Sequence, residues 1–226
     1  MAPTDHAAVY EGIRVRVTDL VSGLPDAALD AGAPATPGWR VRDVVAHLAG
    51  AAADVLAGNL EGVASDPWTE AQVAARRDAP IDAVVAEWAD SAARLEARMP
   101  GYEAPVRAII LTDAVTHEFD VRGALGDRGA RDSDAVAYAF RGVSGGIGAR
   151  RGDGGPLRIV HEAGEVVVGD GDPAATVRTT RFEVLRAALG RRSASQVAAW
   201  DWDGDPMPDT VVLPAFAPLR STPLDE

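Results

Sequence analysis

Apolar residues recur at helical spacing through the first 150 positions. Val9, Ile13, Val17, Leu20 and Val21 form one stripe. They predict a helix from a cap at Thr4 or Asp5 to about Val21, ended by Gly23 and Pro25. Val41, Val44, Val45, Leu48, Val55 and Leu56 predict a second helix over about Arg40–Leu60. Residues 62–79 carry no such stripe and are expected to form a polar connection holding Trp68. Pro80 suits a first helical position, and a helix is predicted from there to Met99 before Pro100 and Gly101. Two more are predicted, over Pro105–Leu125 up to Gly126 and over Ser133–Ala149.

At Arg150 the period changes. A turn-rich ARRGDGGP segment leads into LRIVHE and EVVVGD, two alternating runs around Ala163 and Gly164 that predict a hairpin. ATVRTT reads as a third strand, FEVLRAALG as an amphipathic helix stopped by Gly190, and VAAWDW as a last strand. A Pro-rich tail runs from Pro206 to Glu226. The expectation is an α+β protein of two domains, a helical bundle over 1–150 and a small α/β domain over 151–226.

Composition narrows the chemistry. The chain has 226 residues, 47% hydrophobic, enough for a core without covalent staples. All 22 bases are arginine, so a Walker lysine, a Schiff-base lysine and a lysine general base are excluded. The net charge of −12 argues against nucleic-acid binding and against a polybasic membrane patch. No cysteine is present, which excludes disulfides, cysteine-ligated zinc, iron–sulfur clusters and a cysteine nucleophile. No apolar run reaches about 18 residues and the N-terminus has no basic-then-apolar leader. The protein is therefore expected to be cytoplasmic, with no membrane partner. Its Ala, Gly, Arg and Asp bias suggests a GC-rich, actinobacterial source.

Four histidines remain. On the helix predicted from Pro105, Asp113 and His117 stand one turn apart on the face of Ile110, Ala114 and Val121, and Asp120 lies at its edge. A carboxylate and an imidazole at i and i+4 can ligate one ion beside the helix, or can satisfy each other as a hydrogen-bonded pair. His47, on the flank of its own stripe, can reach the same interior. His47, Asp113 and His117 would then make a three-ligand site with open positions, the pattern of a catalytic divalent metal. His161 is expected on a strand surface.

Three segments resemble the mycothiol-dependent maleylpyruvate isomerase family. TPGWRVRDVVAHLAG (residues 36–50) is similar to its opening loop and helix, and DAVTHEFDVRGALG (residues 113–126) to its second metal motif. DPAATVRTTRFEVLRAALGRRSASQVAAWDWDGDP (residues 172–206) is similar to its C-terminal domain. They stand in the family's order. The resemblance implies a DinB-like bundle with a four-helix core around a divalent metal, zinc in the family. It also implies a small, sterol-carrier-like C-terminal domain. His47, Asp113 and His117 fall on the metal-ligand positions. The chain departs from the isomerase pattern in carrying Asp113 where the family has Glu.

The resemblance further implies mycothiol or another low-molecular-weight thiol as cofactor. Its metal-bound thiolate would attack an electrophilic small-molecule substrate, in an isomerase or in a thiol S-transferase. Arg191, Arg192 and Trp39 are expected substrate contacts, with Trp68 a second pocket wall. Two other classes stay open: a thiol-independent metal hydrolase using Asp120 or Glu118 as base, and a non-catalytic small-molecule-binding module.

Overall fold

Asp5 starts the chain's first helix by accepting a hydrogen bond from the Ala8 backbone N–H at 3.1 Å. The computed structural model describes residues 4–150, 155–213 and 218–226. Residues 151–154 of the expected linker and 214–217 of the Pro-rich tail lie outside the described residues. The protein is α+β. The chain divides into two compact units, residues 1–129 with Glu226, and residues 130–225.

The first unit is helical. Its elements are α1 (His6–Val21), α2 (Asp26–Leu29), α3 (Val41–Ala57), α4 (Asp66–Arg76), α5 (Ile81–Arg98) and α6 (Ala104–Leu125). The four long helices α1, α5, α3 and α6 pack in a ring. Ile13, Val17, Val44, Leu48, Trp88, Leu95, Leu111 and Val115 fill it, all essentially inaccessible to solvent. α3 and α6 end at Gly58 and Gly126, whose φ of 75° and 69° is the left-handed turn that glycine takes without strain.

A buried ion cluster ties α1 to α6. Arg16 grips both oxygens of Glu118 at 2.8 and 2.7 Å, and Arg122 adds a third bond at 3.0 Å. Glu118 is fully buried, so these bonds replace its hydration.

The expected polar connection over 62–79 instead contains α4. Pro67 stands in its first turn, and Gln72 and Val73 turn inward against α3. An 11-residue helix needs only this narrow contact, too short a stripe to register as periodicity. The close approach depends on Gly50. A Cβ there would lie 2.5 Å from the Gln72 Cβ, well inside contact distance.

The second unit opens with α7 (Asp134–Arg150), which was expected to close the bundle. It packs on α8 (Arg181–Ala188) and against strand β2 instead. Strands β1 (Leu157–His161), β2 (Gly164–Val168), β3 (Ala175–Arg178) and β4 (Asp201–Asp203) form a mixed sheet ordered β2-β1-β3-β4. β1 and β2 are the expected hairpin, and β3 runs parallel to β1. The expected strand VAAWDW is mostly not a strand. Ser193 and Gln196 cap each other's backbone N–H groups and start a short helix, α9 (Ala194–Ala198), so only residues 201–203 pair.

Candidate metal centre

His47 sits at the middle of α3, Asp113 and His117 one turn apart on α6, and the two helices pack together. One ligand atom from each residue lies within 4.8 Å of the others. His47 Nε2 is 3.4 Å from Asp113 Oδ2, and His117 Nε2 is 3.6 Å from Asp113 Oδ1. Two ligands about 2.1 Å from one tetrahedral ion lie about 3.4 Å apart, so these separations fit a shared cation. The rings meet edge to face, with centroids 4.7 Å apart.

Hydrogen bonding fixes both tautomers. The Gln72 amide nitrogen donates to Asp54 at 2.6 Å, which leaves its carbonyl oxygen facing His47 Nδ1 at 2.7 Å. That nitrogen must therefore carry the proton. His117 Nδ1 faces the Asp120 carboxylate at 2.9 Å and must donate as well. Both Nε2 atoms are left with lone pairs aimed toward the Asp113 carboxylate. This is the outer support that orients metal-binding imidazoles.

Three ligand atoms thus converge on one point. His47 is 99% buried and its Nε2 has no hydrogen-bond partner. Such a group is costly unless a cation or proton fills the gap. Burial disfavours the charged imidazole of His47, but Asp113 and Gln72 outweigh it and hold its pKa above the ordinary value. The donor set of two imidazoles and one carboxylate suits zinc or a similar divalent ion, and the residues present fit it.

Trp39 covers the two rings at centroid distances of 5.3 and 6.0 Å. Its loop is pinned by hydrogen bonds from Ala33 N to the Trp39 carbonyl and from Trp39 N to the Thr36 carbonyl. Trp68, at the start of α4, presents its edge to His47 at 6.2 Å.

The other expected site residues fall elsewhere. Asp120, fully buried, supports His117. Glu118 cannot serve as a base, because both its oxygens are held by arginines. In the second unit, Arg192 is buried, grips Glu183 through two nitrogens at 2.7 Å and stacks on Phe182. Arg191 donates to the Leu189 carbonyl at 2.8 Å. His161 packs its edge on Phe140 at 4.9 Å. Gln72 and Asp54 escaped the sequence-based expectations. The Ser65-Asp66-Pro67 helix start was the signal that could have placed Gln72 on a helix.

Fold and site together define a four-helix bundle holding a candidate three-ligand metal site, followed by a small α/β unit. Residues 10–119 match the family model described as the mycothiol maleylpyruvate isomerase N-terminal domain. The chain also shares its fold with a crystal structure of the mycothiol-dependent maleylpyruvate isomerase, at a TM-score of 0.59 and 14% identity. That match covers 89% of this chain and 95% of the other. A histidine-to-alanine variant of that enzyme matches over the same shares at a TM-score of 0.57 and 14% identity. No curated protein matches the chain.

Proposed function

We propose that this protein is a metal-dependent, thiol-dependent enzyme of the maleylpyruvate isomerase or thiol S-transferase kind, with mycothiol or a similar small thiol as co-reactant. The observation that carries the reading is the convergence of one ligand atom each from His47, Asp113 and His117, with His47 Nε2 buried among them. A divalent ion held by these three residues would act as a Lewis acid and favour the thiolate form of a thiol at neutral pH. The chain's own residues do the rest. Gln72 and Asp120 keep both Nε2 lone pairs directed inward. Trp39 shields the two imidazoles from bulk water, which strengthens every electrostatic interaction beneath it.

The sulfur must come from outside, since the chain has no cysteine. In an isomerisation, sulfur adds to a conjugated C=C, the resulting single bond rotates, and elimination of the thiol restores the double bond. The thiol is regenerated. In a transfer, the C–S bond is kept and the thiol is consumed. Both belong with the mycothiol dependence in the name of the structural relatives and with the family model that residues 10–119 match.

The test is metal content by mass spectrometry on tag-free protein, followed by a thiol-dependence assay. About one divalent ion per chain is expected in the wild type, with loss in both His47→Ala and His117→Ala. Turnover that persists without any thiol would overturn the thiol reading. An ion-free wild type after reconstitution would overturn the metal reading.

A further inference from the structure

A closed circuit of side chains joins the turn between α3 and α4 to the candidate metal centre, all within the first unit. Gln72, which faces His47 Nδ1 with its carbonyl oxygen, donates its amide to Asp54 Oδ2 at 2.6 Å. The other Asp54 oxygen accepts from the Asn59 side-chain amide at 2.9 Å. Gly58, at a φ of 75°, turns the chain back so that the Asn59 backbone N–H also reaches the Asp54 carbonyl at 2.9 Å. The Asn59 carbonyl accepts from the Trp68 indole N–H at 3.0 Å, and the Trp68 ring returns to His47 edge-on.

The carboxylate gives this circuit its direction. The two ends of the Gln72 amide are nearly equal in size, so packing around this buried side chain does not choose between them. Hydrogen bonding chooses. A carboxylate only accepts, at both oxygens, so Gln72 and Asn59 must each turn an N–H toward Asp54. An amide at position 54 would instead accept at one end and donate at the other. With its oxygen given to Asn59, it would donate to Gln72. Gln72 would then turn over and donate to His47 Nδ1. The His47 proton would sit on Nε2, facing Asp113, and no lone pair would remain there for an ion.

We infer that Asp54, steadied by Asn59, is a positioning residue of the metal centre: it orients Gln72 and so decides which nitrogen of His47 is bare. This deepens the proposed function and rests on its metal reading. It makes the exposed α3–α4 turn part of the support of a buried ligand.

The test is two-bond 1H–15N correlation NMR on the metal-free, full-length chain at pH 9, which separates a protonated ring nitrogen from a bare one. Zinc affinity is measured separately, by competition with a chelating dye. Wild-type His47 is expected as a single Nδ1–H tautomer. Asp54→Asn, close to isosteric, is expected to populate the Nε2–H tautomer and to weaken zinc binding about tenfold. The exchange variant, Asp54→Asn with Asn59→Asp, is expected to restore the wild-type tautomer. Its carboxylate accepts the new amide N–H and turns the amide oxygen back toward Gln72. A merely structural role for Asp54 would not be rescued by this exchange.

The inference is overturned if wild-type His47 carries its proton on Nε2, if Asp54→Asn leaves the tautomer unchanged, or if the folded exchange variant does not restore it. Should the exchange variant fail to fold, Asp54→Asn against wild type still decides. The tautomer is read without metal. A tautomer that switches as expected in a chain that never binds zinc would therefore overturn the metal reading alone, and zinc binding with an unchanged tautomer would overturn the role of Asp54 alone.

Discussion

Gln72 is the residue on which the candidate site's finer geometry turns. Its amide chooses the tautomer of His47, and choosing a tautomer is choosing which nitrogen can bind a cation. Gln72→Ala is expected to weaken zinc binding about 10- to 100-fold in a competition titration, with the fold retained. Gln72→Glu keeps an acceptor for Nδ1 but sets its other oxygen against the Asp54 carboxylate, so it should recover only part of the loss. The convergence of His47, Asp113 and His117 was legible in the sequence. The i, i+4 spacing of Asp113 and His117 on an apolar face and the motif around His47 both pointed to one interior. Gln72 was not legible. Its role arises from partners far along the chain, His47 and Asp54, and no local period encodes such pairings.

Among the elements, helix α4 shows how packing serves the site. It lies against α3 only because Gly50 has no side chain. Gly50→Ala is expected to cost about 1–3 kcal/mol in chemical denaturation. It should also reduce zinc affinity, because the clash falls on Gln72 itself. The long helices were legible because each buries a stripe several turns long. α4 and α9 were not, since one is held by two inward residues and the other by a capping box spanning four positions. The join of α1 to α6 makes a separate prediction. Glu118→Gln removes the buried charge that Arg16 and Arg122 share, leaving Arg122 only Asp127. A stability loss of about 1–3 kcal/mol is expected by urea unfolding.

The whole molecule is acidic, and its response to pH follows from particular carboxyls. Burial would raise the pKa of Asp43, but the Arg40 guanidinium and backbone N–H outweigh it and hold it below the ordinary value. Glu162 behaves likewise through Arg181. A carboxyl whose pKa is lowered on folding adds stability above its unfolded pKa. That stability is lost as pH falls through the folded value. Denaturation midpoints should therefore drop as pH falls below about 4, and Asp43→Asn should flatten that part of the curve. Metal acts on stability by mass action. If the centre binds zinc, an ion at 100 times its Kd adds about 2.7 kcal/mol, and EDTA should lower the melting temperature of the first unit.

The loop that carries Trp39 over the two imidazoles has one more consequence. An indole 5.3 Å from one imidazole and 6.0 Å from another is an optical gauge already installed at the centre. Its emission should change as charge enters or leaves beneath it, and Trp39→Phe should remove most of that signal, leaving the smaller response of Trp68 at 6.2 Å from His47, while Trp88, Trp200 and Trp202 continue to emit. Occupancy of the site could then be followed in real time, in unlabelled protein, before any substrate is known.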